Sequence, residues 1–351
     1  MRPLLLPALR RIWRDRTTLQ LGLGSAPAVL LCNLPLGADR LLERLDGTAD
    51  LDTVLAGAEE TGLDRESAAR LIRELVRAGV VIDSRAVTPL PLSLDVAARH
   101  RLAGDVASLS LLGADAGGVL GARHRCMVGV YGSPRLAVPL AATLAVAGVG
   151  RIHVIGRGAV EPGHVAPGGF GADDVGQPRP DAAAAALTRV APQVDVRPLP
   201  PRRPADLVIL AGAAAGDLDH AARLVAAGIP HLAISVRDTI GVVGPLVRPG
   251  KSSCLRCADL QRRDRDPAWP VVAAHLATAH PPRAEAQDSA LASALAGLGA
   301  LQALAQLDGQ PAQTLDGTLE LALPDCLLRR RSWLPHPDCG CRGRPAWSEA
   351  S

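Results

Sequence analysis

The sequence predicts an α/β domain with a mainly parallel sheet and a structural clip of four cysteines around a metal ion, preceded by a small winged-helix domain. Three observations support this fold class. From about residue 124 onward, strand-like and helix-like segments alternate, which is the pattern of βαβ units. Before residue 84 the order is strand, strand, three helices and strand. Two short cysteine pairs stand about eighty residues apart in the second half of the chain.

Residues 1–88 are predicted to form the winged-helix domain. Its first two strands flank a Gly-Ser-Ala-Pro turn, and Asp50 or Asp52 caps its second helix. The third helix has the clearest signals, since Asp64 caps it and Gly79 follows its end. Its apolar stripe consists of Ala68, Leu71, Leu75 and Val76. The predicted strands are Gln20–Gly24, Ala28–Asn33 and Val80–Ile82, and the predicted helices are Leu36–Leu45, Asp52–Thr61 and Asp64–Ala78.

Residues 89–121 are predicted to be a linker with one helical piece, Asp95–Leu112, and residues 122–351 to form the α/β domain. In the α/β domain, a helix that begins with Pro at its first turn follows the first buried strand. The predicted strands are Cys126–Tyr131, Arg151–Ile155, Val194–Val196, Asp206–Leu210, His231–Val236, Thr239–Val247, Thr314–Leu323 and Cys326–Arg331. The predicted helices are Pro134–Ala147, Pro180–Val190, Leu218–Ala227 and Ser289–Gln306.

The two cysteine pairs predict a structural zinc site. Cys254 and Cys257 form a CxxC turn, and Cys339 and Cys341 form a CxC turn; two such turns together supply four thiolates in tetrahedral arrangement. A disulfide or unrelated cysteines remain the alternatives, and His280 and His336 are possible substitute ligands. The other three cysteines, Cys32, Cys126 and Cys326, stand in apolar, strand-like segments and are expected in the core.

Composition excludes several functional classes. The formal net charge of +3 indicates no polyanionic partner, and an aromatic content of 2% leaves few platforms for stacking bases, so nucleic-acid binding is not expected. We expect a cytoplasmic protein, because the amino-terminal apolar stretch runs straight into charges and lacks a cleavage pattern. We also expect no membrane span, on the assumption that no charge-free apolar run reaches 18 residues.

The strand–turn–helix at residues 128–134 stands where a nucleotide-binding loop would lie. Such loops use glycines to bring backbone N–H groups close to a phosphate. Read from Gly132, the second and third glycine positions are Pro134 and Ala137, and proline removes an N–H donor. The next strand is followed by Gly156-Arg157-Gly158, without the acidic residue that a dinucleotide site needs. The sequence therefore argues against NAD.

Several segments together resemble the ThiF/MoeB superfamily, the ubiquitin-activating-enzyme-like adenylyltransferases. The matching pieces cover about residues 97–351 and are Leu144–Ile155 with its Ala-Gly-Val-Gly turn, Val175–Arg179, Ala227–Pro230 and the two cysteine pairs. This resemblance implies a Rossmann-like domain. Family members use Mg-ATP to adenylate a carboxyl terminus.

Compared with the family pattern, the nucleotide site is degenerate. The resemblance places the two family acids at Gly156 and Gly158, the family arginine at Pro167 and the family lysine at Arg179. The late aspartate has no counterpart before Asp217. Because phosphoryl chemistry depends on electrostatic positioning, we expect the chain's own ATP chemistry to be lost, and we assign no catalytic residue. Gly132, Arg135 and Arg179, with Arg157 and Lys251, remain the candidates for any nucleotide contact.

The amino-terminal unit resembles the PqqD-like recognition element of enzymes that modify ribosomal peptides. Together with the degenerate domain and the His-Pro-Asp-Cys-x-Cys tail, it resembles the cyclodehydratase-associated proteins of thiazole/oxazole-modified peptide (bacteriocin) pathways. That resemblance implies that a precursor's leader peptide adds a strand at the edge 28–33, with Val29 and Leu31, and rests against the third helix. Arg70, Arg73 and Arg77, beside Glu74, would line the helix.

The resemblance thus implies a scaffold that presents a precursor peptide to a separate, ATP-dependent YcaO-type cyclodehydratase. One alternative is an active adenylyltransferase with a reorganised site. Others are a DNA-binding winged helix, which the arginines of residues 64–78 allow, and a docking domain without ligand. A homodimer is implied by the superfamily resemblance alone.

Overall fold

The computed structural model describes residues 1–23, 28–212, 218–278 and 287–342, and the chain divides into two compact units, Met1–Gly121 and Ala122–Ser351. Each unit has its own hydrophobic core. The amino-terminal core is built almost entirely of leucine, valine and alanine, as the scarcity of aromatic residues requires.

In the described part of unit 1, two small antiparallel sheets accompany six helices. One sheet pairs β1 with β5, and the other has the order β2-β3-β4, so that β4 is an edge strand. The strands are β1 Pro3–Leu5, β2 Arg11–Trp13, β3 Leu19–Leu21, β4 Val29–Leu31 and β5 Val81–Asp83. The helices are α1 Ala38–Glu43, α2 Leu51–Ala56, α3 Arg65–Arg77, α4 Val96–Arg101, α5 Ala103–Leu111 and α6 Ala116–Arg125, the last of which spans the boundary to unit 2.

The predicted order of strand, strand, three helices and strand is present as β3 to β5. The sequence did not predict β1 and β2, and residues 24–27 of the predicted turn lie outside the described residues. The predicted cap of α3 is confirmed, since the Asp64 carboxylate accepts from Ser67 N at 2.9 Å, and Asp50 caps α2. Such caps stabilise a helix by about 1 kcal/mol. Val76, expected in the α3 stripe, is 39% exposed, and Ile72 is buried instead. The winged-helix assignment stays a prediction.

The predicted helical piece of the linker is two helices rather than one. Asp95 caps α4 through Ala98 N, and α4 ends before Leu102, from which α5 continues. Helix α6 was not predicted. Leu94, Leu102, Leu109 and Leu120 form a small core of their own. The segment is therefore folded, although the division at residue 89 between first domain and linker stays a prediction.

In unit 2, the described residues form a sheet with the order β12-β11-β10-β9-β8-β6-β7. Strands β7, β6, β8 and β9 are parallel, and β10, β11 and β12 continue antiparallel. The strands are β6 Met127–Gly132, β7 Arg151–Ile155, β8 Leu207–Ala211, β9 His231–Arg237, β10 Ile240–Val247, β11 Gly317–Ala322 and β12 Leu328–Ser332. The predicted strand Val194–Val196 is wrong, because only a bridge from Asp195 to Arg151 forms there.

The helices of unit 2 are α7 Pro134–Val146, α8 Arg179–Val190, α9 Leu218–Ala226, α10 Leu255–Arg265, α11 Trp269–Thr278 and α12 Ser289–Leu307. Residues of α7, α8 and α12 form the main core with one face of the sheet. Small residues let these layers approach closely: a Cβ on Gly299 would lie 2.4 Å from Ile234 Cδ1. Helices α10 and α11 were not predicted.

The assumption about charge-free runs was wrong. Helix α12 is a charge-free run of 19 residues with a mean hydropathy of 1.5, and it meets the length and composition of a membrane span. Leu291, Leu295 and Ala300 of this helix are nonetheless packed in the main core of unit 2. Length and composition alone are therefore weak evidence here, since a core helix satisfies the same test.

Two of the three remaining cysteines are not core residues. Cys32, next to β4, and Cys326, in the turn before β12, are both exposed. Cys326 has a φ of 54°, so the predicted strand begins only at Leu328. Cys126 is half-buried, and burial raises the pKa of its thiol to about 11.

Candidate functional site

The four predicted ligand cysteines meet at the start of α10. Cys254 is the residue before the helix and Cys257 lies in its first turn, while Cys339 and Cys341 follow β12 in the carboxy-terminal segment. Cys254, Cys257 and Cys339 are buried and Cys341 is partly buried. The chain thus returns to α10 after about eighty residues, as the spacing of the two pairs predicts.

The sulfur atoms are spaced as a tetrahedral metal site requires. Sγ of Cys254 lies 3.9 Å from Sγ of Cys257 and 3.6 Å from Sγ of Cys339, and Sγ of Cys257 lies 3.4 Å from Sγ of Cys341. All four atoms lie within 4.8 Å of one another. Zinc–sulfur bonds of about 2.3 Å in a tetrahedron give sulfur–sulfur edges of about 3.8 Å. The cluster could therefore hold a metal ion, and none of the four cysteines is in a disulfide.

Charge also favours a cation at this place. Without a metal, the hydrogen bond with Cys257 and then burial raise the pKa of Cys254, while the same hydrogen bond lowers the pKa of Cys257. Burial raises the pKa of Cys341. In the absence of a cation, the four thiols therefore do not all become thiolates at neutral pH. A divalent cation supplies the positive charge that stabilises four neighbouring thiolates.

His336 is not positioned as a metal ligand. His336 is buried, but Asp338 N donates to its Nδ1 at 3.1 Å and its Nε2 lies 2.6 Å from a carboxylate oxygen of Asp264. The Nε2 contact fastens the segment before Cys339 to α10, and the Nδ1 contact fixes the turn within that segment. His280 lies outside the described residues.

The loop at the end of β6 has lost most of a phosphate cradle. Gly132 has a φ of 119°, and a Cβ there would lie 1.6 Å from Ala211 O, so only glycine fits. Ser133 N, a donor that a phosphate would need, is hydrogen-bonded to Ala211 O at 2.7 Å. Pro134 has no N–H. The loop is therefore closed onto β8 instead of open toward a ligand.

At the carboxyl end of β7, where the family pattern has two carboxylates, the side chain of Arg179 lies beside two glycines. Gly156 directly follows β7, and a Cβ built on it would lie 3.9 Å from the Arg179 Cβ. A Cβ built on Gly158 would lie 3.0 Å from Arg179 Nη2. Arg135, the other basic candidate, is turned to α12, where its Nη2 bonds Ser289 Oγ at 2.5 Å. Arg157 and Lys251 are exposed, and Asp217 lies outside the described residues.

The space left between these groups is small. Gly132, Pro134, Ala137, Ile155, Phe170 and Arg179 contribute to its lining, and its volume is about 10 Å³. That is about enough for one water molecule. Phe170, which is 2% exposed, belongs to the main core and helps to fill the position. Sequence reasoning missed Phe170, because a single aromatic residue in a loop has no periodic signal.

The residues predicted to contact a peptide lie on β4 and α3. The backbone of β4 is at a sheet edge, Val29 is half-buried, and Arg70, Arg73 and Arg77 are all exposed. The side chain of Leu31 is 7% exposed and belongs to the core, so only the backbone of Leu31 is available to a peptide at this edge. Leu30, which the sequence analysis missed, is 49% exposed on the outer face. The twofold alternation of a strand was the signal that separates these two leucines.

Comparisons with known proteins agree with this architecture. The ThiF family matches residues 122–342. A search of curated protein sequences found no match. Among solved structures, E. coli MccB with ATP has a TM-score of 0.72 and 16% identity, over 98% of this chain and 100% of that one.

Two further structures have the same fold. The microcin C7 biosynthetic enzyme MccB in complex with N-formylated MccA has a TM-score of 0.72 and 16% identity, over 98% of this chain and 100% of that one. PaaA has a TM-score of 0.70 and 17% identity, over 93% of this chain and 99% of that one. At sequence identities of 16% and 17%, the similarity to these structures establishes a shared fold.

Proposed function

Because the chain belongs to the ThiF family, we propose that it is a degenerate member that binds the leader of a ribosomal precursor peptide. It presents that precursor to a separate ATP-dependent, YcaO-type cyclodehydratase, which forms azolines from Cys, Ser or Thr in bacteriocin biosynthesis. The observation that carries the proposal is Arg179 beside Gly156 and Gly158. The glycines at positions 156 and 158 offer no carboxylate at these two positions for the magnesium of Mg-ATP.

The exposed edge of β4 supports the peptide-binding part of the proposal. The leader adds a strand to this edge, so main-chain hydrogen bonds supply affinity and alternate side chains supply specificity. Val29 and Leu30 offer apolar contact, whereas Leu31 contributes through its backbone because its side chain is buried. The exposed arginines of α3 suit an acidic leader.

The solved structures support a biosynthetic context. MccB is a microcin biosynthetic enzyme bound to a second molecule, MccA, and its likeness extends over nearly the whole of this chain, including unit 1. The four-cysteine cluster supports a structural zinc ion. Zinc takes four thiolates in tetrahedral geometry and would leave no position open for a substrate, so it acts by clipping the carboxy-terminal segment to α10.

One alternative has a specific observation in its favour. E. coli MccB, whose structure matches this chain over 98% of its length, was solved with ATP. An active adenylyltransferase would have to open the loop 132–134 and use Arg135 or Arg179 on the phosphates. ATP-dependent exchange of pyrophosphate would identify this activity.

The deciding experiment is a pair of calorimetric titrations of the full-length, zinc-loaded protein. The first uses a short peptide that a gene next to that of this protein is found to encode, and the second uses Mg-ATP. The proposal predicts saturable peptide binding and no heat with Mg-ATP. Micromolar Mg-ATP binding together with pyrophosphate exchange would replace it with the adenylyltransferase, and the absence of peptide binding would refute the recognition role.

A further inference from the structure

A cluster of arginines surrounds one buried tryptophan on the second face of the sheet. Trp333 directly follows β12, is 1% exposed, and donates from Nε1 to Thr318 Oγ1 at 3.0 Å. The guanidinium carbons of Arg262, Arg265 and Arg331 lie 4.8, 5.4 and 5.7 Å from the centre of its ring. Each distance is within the range of a cation–π interaction.

The sheet register brings further charged groups to the same face. Ile240 lies opposite both Arg237 on β9 and Ala322 on β11, so these side chains share one face of the sheet. Glu320 and Thr318, two and four positions before Ala322, lie on that same face. Thr318 in turn lies opposite Arg331. Arg237, Glu320 and Arg331 therefore project from one side of the sheet, the side on which Trp333 packs.

Among the described residues, the arginines of this cluster outnumber the carboxylates beside them. The carboxylates include Glu320, which lies 3.4 Å from Arg331 Nε, and Asp259, which accepts from Trp269 Nε1 at 2.5 Å. Four arginines, 237, 262, 265 and 331, together with these two carboxylates carry a net charge of +2. The set thus keeps positive charge that its own acids do not neutralise.

Arg262 is half-buried, whereas Arg237, Arg265 and Arg331 are exposed. Burial, and then the positive charge of Arg237, lower the pKa of Arg262 to about 10. Neighbouring guanidinium groups repel one another, and an anion placed between them relieves that repulsion.

We propose that this cluster, the Trp333 arginine site, binds the oxyanion group of a ligand. Arginine is suited to this chemistry, because its planar guanidinium donates two parallel hydrogen bonds to a carboxylate or a phosphate. Trp333 and Trp269 both lie within cation–π distance of the Arg262 guanidinium, which restrains that side chain and lowers the entropy cost of binding a ligand. An acidic peptide side chain and a free phosphate share this chemistry, and the test distinguishes these two sources. The site lies wholly in unit 2 and does not depend on peptide binding by unit 1.

The test uses the full-length, zinc-loaded protein and two probes, inorganic phosphate and a tetraglutamate peptide. Each is titrated calorimetrically against sodium chloride of equal ionic strength, because general screening must be separated from binding. The variant is Arg331→Gln, whose side chain is 54% exposed, so its removal spares the core. The matched control is Arg330→Gln, which removes the same charge from the next position, on the opposite face of the sheet.

We expect saturable binding of at least one probe, weakened about tenfold or more by Arg331→Gln and less than about twofold by Arg330→Gln. Binding of tetraglutamate alone identifies a peptide as the source of the oxyanion, and binding of phosphate alone identifies a free phosphate. A response equal to that of chloride for both probes overturns the proposal, as does equal weakening by both variants. If Arg331→Gln does not fold, Arg237→Gln tests the same site from β9.

Discussion

Replacing Cys339 by serine should detach the carboxy-terminal segment from α10. The metal would link Cys257 to Cys339 across about eighty residues of chain. By the loop-closure relation that describes cross-links, closing a loop of that length costs the unfolded chain about 4–5 kcal/mol of conformational entropy. Cys341 can still hold the segment in part, so we expect Cys339→Ser to lower the free energy of unfolding by about 2–4 kcal/mol.

For a unit of this size, that loss corresponds to a fall in the melting temperature of roughly 5–15 °C. The assay is thermal unfolding followed by circular dichroism, together with metal analysis of the purified protein, in which the metal content should fall below the value of about one equivalent expected for the unmodified protein. Cys326→Ser is the matched control, because Cys326 is an exposed cysteine in a turn. Equal melting temperatures and equal metal contents for the two variants would refute the site.

Three further predictions concern binding and stability. Leu30→Asp should weaken the leader peptide about tenfold or more by calorimetry, whereas Leu36→Asp, at a 91% exposed position, should not. Asp308→Ala should destabilise the protein by about 3–5 kcal/mol in urea unfolding, because it leaves Arg123 buried without the carboxylate that its Nη2 contacts at 2.7 Å; a loss below about 1 kcal/mol would contradict this. Burial lowers the pKa of His231, so its contribution is present above the unfolded pKa of about 6.5 and is lost as the pH falls through the folded value. His231→Gln should flatten that part of the pH–stability curve, and an unchanged curve would assign it to other groups.

Local rules predicted the cysteine cluster and the capped helix α3, because both are set by residues a few positions apart. A CxxC and a CxC turn each bring two sulfur atoms together whatever the rest of the fold does, and the structure brings all four within 4.8 Å. The Asp64 cap likewise depends only on Ser67, three residues away. Such features can be read from one sequence with no knowledge of tertiary contacts.

The missed elements are those that depend on distant contacts. Helix α10 is mostly polar and buries only Cys257, Ala258 and Leu260, so it has little apolar periodicity. It is held instead by the cysteine cluster and by Trp333, neither of which is adjacent in sequence. Cys326 was misjudged for the same reason: the apolar Leu327 and Leu328 indicate burial, but they lie at the sheet edge and are 53% and 52% exposed. Position within a sheet is not encoded locally.

The changes at the nucleotide edge depend on one another, which argues that one substitution would not restore ATP chemistry. A carboxylate introduced at Gly158 would start 3.0 Å from Arg179 Nη2 and would pair with that arginine instead of binding a magnesium ion. It would also occupy a backbone position with a φ of 82°, which side chains other than glycine adopt at a cost. Even with an acid in place, Ser133 N would remain bonded to Ala211 O and Pro134 would still lack its N–H. The closed loop, the two glycines and Arg179 thus agree with one another, and together they argue against nucleotide activation at this edge.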